Sequence, residues 1–199
     1  WVSEKDGGQA DAINKGLARC RGPIFNWINA DDRVAPGALT AVAAAYLSAP
    51  DKAGWVGGCF RTEADDTVVD IIYPNGADRE QIGENWNGKQ FYQPSCYLST
   101  EKTKRIGGLD PDLYIALDVD LWLRALEHGD FAIGRGIWSV AINHDDAKTQ
   151  KAVDRMFTEM PALQERFGFV NGAAARRAFM TKRRVDYVVP GSLRAAVAA

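Results

Sequence analysis

Apolar and polar positions along the chain follow two different periods, and the changes of period mark the predicted elements. Short runs rich in branched and aromatic residues predict strands over 24–28, 54–60, 67–73, 93–98 and 131–142. Apolar residues at helical spacing predict helices over 11–19, 36–48, 78–83, 100–106, 118–128, 148–167 and 173–185. The strands 54–60 and 67–73 follow each other across a polar turn and predict a hairpin, so the alternation of strand and helix breaks there and we expect a mixed α/β sheet.

Two adjacent carboxylates follow the predicted strand 24–28. Asp31 and Asp32 lie between this strand and the helix opened by Pro36, at the carboxyl end of a strand, where open α/β sheets bind ligands. Neighbouring carboxylates repel each other unless a cation joins them, and Mg²⁺ and Mn²⁺ prefer carboxylate together with phosphate oxygens. A solvated turn with helix-capping aspartates is the alternative, and the pair alone favours that alternative.

Three further polar residues are candidates for chemistry. Asp118 begins the helix 118–128 and is either an N-terminal cap, which stabilises a helix by about 1 kcal/mol, or a base that takes a proton from a bound hydroxyl. Taken alone it favours the cap, and Asp120 is interpreted as a residue that holds the loop or caps the helix. His144 follows the last predicted strand and is either a surface loop residue or a metal or phosphate ligand. His128 lies at a helix end and has a structural interpretation.

Length and composition narrow the class of protein. A chain of 199 residues is long enough for one domain with a real core. With a formal net charge of −2 the chain has no overall electrostatic attraction to nucleic acid, so we exclude nucleic acid as a partner. The three cysteines are widely spaced and predict reduced thiols. Without a membrane-spanning run or a signal peptide, the prediction is a cytoplasmic protein. Trp1 reads as part of a strand end, so we expect that an N-terminal portion is missing.

Several segments, in their order and spacing, resemble the inverting family 2 glycosyltransferases, a group with the GT-A nucleotide-sugar-binding fold. They are Ser3–Gly16, Asn29–Asp32, Gln93–Ser95 and Gly107–Asp110 leading into Asp118–Arg124. The resemblance implies an α/β GT-A catalytic domain over residues 1–150, N-terminally incomplete, with a mixed sheet, and a C-terminal helical extension over residues 151–199. Two departures from the family are Asn29, where many relatives have Asp, and the family's first strand with its base-binding acidic residue, which would precede Trp1.

The resemblance also implies roles at the acidic pair and the helix start. Asp32 would bind a divalent Mn²⁺ or Mg²⁺ on the donor diphosphate, and Asp31 would assist at the ribose or the metal. Asp118 matches the base that removes the acceptor proton in a single inverting displacement. His144 would bind the metal or the diphosphate, and Lys148 the diphosphate.

The same resemblance places three residues near the nucleotide and its phosphates: Gln9, Asp11 and Lys15. The alternative for these three is a capped helix end with a solvated lysine. Among the aromatic residues, Trp55, Trp86 and Tyr114 could stack on a sugar, but core positions are the favoured interpretation.

The implied activity is metal-dependent transfer of a sugar from a nucleotide-diphosphate donor to a saccharide or lipid-linked acceptor, in cell-surface polysaccharide or glycolipid synthesis. A nucleotidyltransferase and a truncated domain that binds nucleotide sugar without turnover are the alternatives. The cationic stretch 175–185 favours a solvated helix face, and peripheral contact with the inner face of the plasma membrane is the alternative. The sugar, the base and the oligomeric state stay open.

Overall fold

The computed structural model describes residues 1–84, 91–144, 148–169 and 174. Helices and strands are interspersed along these residues, with adjacent strands at two points, and two helices follow the last described strand. In chain order the elements are α1 (Gln9–Arg19), β1 (Ile24–Phe25), β2 (Arg33–Val34), α2 (Ala38–Ser48), β3 (Gly54–Thr62), β4 (Val68–Ile72), α3 (Arg79–Glu84), a 3₁₀ turn (Gln93–Ser95), β5 (Cys96–Ser99), α4 (Thr100–Arg105), α5 (Leu117–Leu126), β6 (Phe131–Ile142), α6 (Lys148–Lys151) and α7 (Val153–Arg166).

A mixed sheet organises these elements. Its strand order is β1–β5–β3–β6–β2, and β4 pairs with the carboxyl-terminal half of β3. The strands β3 and β6 run parallel, from Gly54 beside Phe131 to Thr62 beside Ile142, whereas the other pairs are antiparallel. The predicted hairpin of β3 and β4 is present, and the predicted mixed sheet is confirmed.

Helices cover both faces of the sheet because successive strand residues point to opposite sides. Trp55 of β3 packs with Tyr97, Trp138 and Val42 of α2 on one face. The next residue of β3, Val56, belongs to the core of the other face, which α5 covers with Leu121, Trp122 and Leu123. Since Trp55 is fully buried, its predicted core role is confirmed. The core role favoured for Tyr114 is wrong, because its side chain is 41% exposed and its ring lies against the cations Lys148 and Arg155.

The strand predicted over 24–28 is shorter in the structure and ends at Phe25. Side chains replace the strand ladder after that residue: Asn26 Oδ1 accepts the backbone N–H of Trp27 at 2.7 Å, and Gln93 Nε2 donates to the Trp27 carbonyl at 2.7 Å. Backbone pairing resumes at β2, where Arg33 lies opposite Val140 of β6. The residues between β1 and β2 are therefore a loop with a fixed shape, and the acidic pair lies in it.

Other predicted elements agree with the structure or differ at their ends. The strand β6 has the predicted bounds, and α5 begins and ends within two residues of its prediction. The segment 93–95 is a 3₁₀ turn rather than the start of a strand because Pro94 cannot donate to a ladder. The helix predicted over 148–167 is divided into α6 and α7 at Ala152.

Some predictions fall on residues that the structure does not describe. They are the loop with Trp86, the helix 173–185 apart from residue 174, and the cationic stretch 175–185. Among the helices of the described ranges, none combines the length and the apolar character that a membrane crossing requires.

Candidate active site

The acidic loop between β1 and β2 meets the end of β6. Pairing of β2 with β6 brings His144, which follows β6, to the loop. Its Nε2 lies 2.9 Å from Asp31 Oδ2, although the two residues are 113 positions apart in the chain. Both side chains are partly exposed, the imidazole at 29% and the carboxylate at 42%. Two of the predicted metal and diphosphate ligands are thus in direct contact on an accessible edge of the sheet.

Asp32 is half-buried beside this pair. Loss of hydration raises the pKa of its carboxyl group, and the charge of Asp31 acts in the same direction, whereas a hydrogen bond from Asn29 opposes them. Asn29 Nδ2 donates to Asp32 Oδ2 at 3.0 Å. A partly dehydrated carboxylate next to a second carboxylate is an arrangement that a bound cation would stabilise.

A chain of side-chain amides extends from Asp32 across the sheet edge. Besides Asp32, Asn29 Nδ2 donates to Gln93 Oε1 at 3.3 Å, and Asn29 Oδ1 accepts from Gln9 Nε2 at 3.1 Å. Gln9 Oε1 in turn accepts from Lys148 Nζ at 2.5 Å. An amide suits each of these positions because it donates and accepts at once. The network joins Gln9 and Lys148, both predicted to contact the donor, to the acidic loop.

The residues Asn29 and Gln93 are the parts of this site that sequence reasoning missed. Both belong to the segments that carry the family resemblance, but no role was assigned to either. The available signal was chemical, since an amide that directly precedes a pair of carboxylates can orient one of them.

Asp11 and Lys15 form a local pair on α1. Their charged atoms are 2.9 Å apart, Lys15 Nζ donates to the Lys5 carbonyl, and Asp11 accepts the N–H of Gly7, each at 2.8 Å. The hydrogen bond from Lys15 is the largest cause that lowers the pKa of Asp11. These contacts hold the loop before α1, and a direct phosphate contact by either residue stays a prediction.

Asp118 lies in the first turn of α5 and is half-buried. Burial raises the pKa of its carboxyl group to about 6, against the hydrogen bonds of backbone N–H groups and the positive charge of Lys148, which lower it. Its Oδ1 accepts the N–H of Val119 at 2.8 Å. Such a carboxylate is ionised at neutral pH and is a stronger base than an exposed aspartate, which suits general base catalysis.

Asp120 has a different role from Asp118. It is fully buried, and its two oxygens bind Arg124, at 2.6 Å, and Arg166 of α7. Arg124 also donates to the carbonyls of Ile106 and Gly108, at 2.9 and 2.7 Å. Of the two predicted roles of Asp120, holding the loop or capping the helix, the structure shows the first, with Arg124 as the intermediary.

The donor set fits a divalent cation that is shared with a bound diphosphate. Asp31, Asp32 and His144 offer carboxylate and imidazole groups at one edge, but the described ranges hold no cluster of three or more such side chains with the arrangement of a complete metal site. Mg²⁺ and similar ions are commonly held by one or two carboxylates, with phosphate oxygens and water as the remaining ligands. The residues present match this mode of binding, and a diphosphate would have to complete it.

Comparison with known proteins identifies a family whose model covers the acidic loop. The model of "Glycosyl transferase family 2" matches residues 2–105. Two Mycobacterium tuberculosis proteins, the uncharacterized glycosyltransferases MT1564 of strain CDC 1551 and Rv1514c of strain H37Rv, are each 30% identical to the chain over 126 residues. That match covers 63% of this chain and 47% of each relative. The chain thus spans about half the length of the curated relatives.

Solved structures share the fold at low sequence identity. The crystal structure of Staphylococcus aureus TarS residues 1–349 with UDP-GlcNAc has a TM-score of 0.62 at 11% identity, over 97% of this chain and 60% of TarS. Its complex with UDP has a TM-score of 0.57 at 12% identity, over 97% and 58%. The predicted GT-A fold is confirmed.

Proposed function

Because this chain belongs to glycosyl transferase family 2, we propose that it moves a sugar from a nucleotide-diphosphate donor to a hydroxyl group of a saccharide or lipid-linked acceptor. The observation that supports this most is the hydrogen-bond path from Asp32 through Asn29 and Gln9 to Lys148. The charge of Lys148 also acts on Asp118. The path joins the acidic loop, which would bind the donor diphosphate, to a lysine whose charge reaches the candidate base.

In this proposal Asp118 performs the proton transfer. Its carboxylate takes the proton of the acceptor hydroxyl as that oxygen forms a bond to the anomeric carbon, and the bond from this carbon to the diphosphate oxygen breaks with its electron pair. One displacement with one base inverts the configuration, so a second, nucleophilic carboxylate is not needed. Lys148 places a positive charge near the departing diphosphate.

The acidic loop serves the donor in the same proposal. Asp31, Asp32 and His144 would hold Mn²⁺ or Mg²⁺, which when bound supplies Lewis-acid stabilisation of the leaving diphosphate. The TarS complexes with UDP-GlcNAc and UDP make uridine nucleotides the first donors to test. A cytoplasmic location, membrane contact and a place in polysaccharide or glycolipid synthesis stay predictions.

The first test is calorimetric titration of the chain with UDP, dTDP, GDP and CMP, each with Mn²⁺ and with EDTA. We expect Mn²⁺-dependent binding of one nucleotide and a loss of affinity of about tenfold or more when EDTA removes the metal or when Asp32→Asn removes a ligand. Asp112→Asn, an exposed carboxylate outside the site, is the matched control. Equal affinity with and without metal in all variants would contradict the metal assignment.

The second test separates transfer from binding. Asp118→Asn should keep nucleotide affinity and lower release of nucleoside diphosphate from the matching nucleotide sugar by about 10² to 10⁴. A nucleotidyltransferase would release no nucleoside diphosphate from a nucleotide sugar. It would instead release pyrophosphate from a nucleoside triphosphate and a sugar phosphate, and Asp118→Asn would keep that turnover because the reaction needs no acceptor base at Asp118. A domain that only binds would show affinity without turnover in the unmodified chain.

A further inference from the structure

We infer that Glu159 of α7 is a positioning residue that holds the amino end of α5 and, through it, Asp118. This inference rests on the proposed function for the role of Asp118 as base. The contact between Glu159 and the chain before α5 does not depend on that function and can be tested alone.

One oxygen of Glu159 gathers three consecutive backbone donors. Its Oε2 accepts the N–H groups of Tyr114, Ile115 and Ala116 at 2.9, 2.7 and 3.2 Å. These residues directly precede α5, and Ala116, the residue at the N-cap, has no side-chain acceptor of its own. A carboxylate at a helix amino end satisfies free donors and interacts favourably with the helix dipole. Here α7 supplies that carboxylate from more than 40 residues later in the chain.

The surroundings of Glu159 keep it in this position. Its side chain is only 14% exposed, and Arg155, one helical turn earlier, lies 3.9 Å from its other oxygen. Partial burial strengthens a charged hydrogen bond and makes the loss of either partner costly. The carboxylate is therefore part of a fixed contact between α7 and the segment 114–116.

The ring of Tyr114 ties the same segment to the donor side of the site. Lys148 Nζ lies 3.9 Å and Arg155 Cζ 4.6 Å from the ring centroid, which are cation–π distances. Lys148 also donates to Gln9. The segment 114–116 is thus held by its backbone through Glu159 and by its ring through Lys148 and Arg155, two residues before Asp118.

From Asp120 onward, α5 has separate anchors. Asp120 is bound to Arg124 and Arg166, and Leu121 and Leu123 are fully buried. Loss of the Glu159 carboxylate should therefore release the start of the helix and leave its packing on the sheet in place. This separation makes the positioning role distinguishable from a general role in folding.

The test compares Glu159→Ala and Glu159→Gln by NMR, with Glu101→Ala as control because Glu101 is an exposed carboxylate that pairs with Arg105 of its own helix. In Glu159→Ala we expect the amide protons of residues 114–116 to exchange about tenfold faster or more. The pKa of the Asp118 carboxyl, followed by its ¹³C resonance, should fall from about 6 towards 3.8 as water reaches it. Glu159→Gln should largely restore both, because its amide oxygen still accepts the three N–H groups.

Turnover of the nucleotide sugar adds a kinetic measurement. In Glu159→Ala we expect kcat to fall about tenfold or more, with the donor KM changed by no more than about threefold, and partial rescue by Glu159→Gln. If Glu159→Ala does not fold, Glu159→Asp replaces it, since its shorter side chain withdraws the oxygen but keeps the charge.

Unchanged amide exchange and an unchanged Asp118 resonance in the tested variant would overturn the inference. So would a wild-type level of kcat in a variant that is active. Failure of the unmodified chain to bind or turn over any donor would instead reject the proposed function, while the two NMR measurements would still decide the role of Glu159.

Discussion

Asp118 and Asp120 lie in the same turn of α5 but have different surroundings, and these surroundings give them different roles. Asp120 is fully buried and binds two guanidinium groups, so its role is structural. Asp118 is half-buried, and its Oδ1 accepts the N–H of Val119. Within the part of the chain that the structure describes, no guanidinium group binds Asp118, and burial raises the pKa of its carboxyl group to about 6. A carboxylate of this kind can gain and lose a proton near neutral pH.

The raised pKa of Asp118 predicts the acid limb of the pH profile. The proposed base works only when it is ionised, so kcat/KM should rise with pH through about 6 and level off above it. The measurement is a set of initial rates with the nucleotide sugar that binds best, in buffers from about pH 4.5 to 8 at constant ionic strength. A profile without a change near pH 6 would remove Asp118 from the proton-transfer step.

The same pKa predicts a stability change of defined sign. The pKa of Asp118 has an ordinary value of 3.8 in the unfolded chain and is about 6 in the folded state, so the folded state holds the proton more tightly. The protonated carboxyl group therefore stabilises the fold fully below pH 3.8, and this stabilisation is lost as the pH rises through 6. Asp118→Asn should therefore be more stable than the unmodified chain at pH 7, by about 1 to 2 kcal/mol after allowance for partial exposure. Urea unfolding at pH 4 and pH 7 measures the difference, and a gap that does not shrink at pH 4 would contradict this prediction.

At the scale of elements, α5 is connected to its neighbours at both ends of its first turn. Glu159 of α7 binds the chain before the helix, and Asp120 binds Arg124 and Arg166. Arg124 extends this contact to the glycine loop that follows α4. Helix α7 is therefore a support for the candidate base, although it contributes no residue with an assigned chemical role.

Removal of the buried carboxylate in this connection should be costly. Asp120→Ala leaves Arg124 and Arg166 without their shared acceptor, and we expect a loss of about 3 to 5 kcal/mol in the free energy of unfolding. The control Asp130→Ala removes an 83% exposed carboxylate that pairs with Lys52, which should cost less than about 1 kcal/mol. Urea denaturation of both variants compares the two, and equal losses would show that the Asp120 contacts have little net value.

At the scale of the whole molecule, the strand β3 joins all layers. It pairs with β4, β5 and β6, and its side chains belong to the cores on both faces of the sheet. Its glycines permit close packing: a Cβ at Gly57 would lie 2.1 Å from the Trp138 ring. The two-layer core depends on the absence of a side chain at this position, because Trp138 is itself fully buried and has no room to move.

Two glycine substitutions with opposite outcomes test this packing. Gly57→Ala should lower the free energy of unfolding by about 1 to 3 kcal/mol, since the added methyl group displaces a buried indole. A Cβ at Gly16 in α1 would meet no atom within 4 Å. Gly16→Ala should therefore raise the free energy of unfolding by about 0.5 to 1 kcal/mol, because alanine has the higher helix propensity. Thermal unfolding of both variants is the measurement, and a neutral Gly57→Ala would contradict the tight contact with Trp138.

The sequence by itself determined the elements whose signal is local. The bounds of β6, the amphipathic helix α5 and the hairpin of β3 and β4 follow from periodicity and turn residues, because these report which side of an element is buried. Only the tertiary structure decided which other element packs against that buried side, and which side chains meet at the site. The contact of His144 with Asp31, the amide path through Asn29 and Gln93, and the early end of β1 all depend on side chains distant in the chain. So does the contact of Glu159 with residues 114–116, because a lone glutamate in a helical pattern has no local feature that identifies its acceptor role.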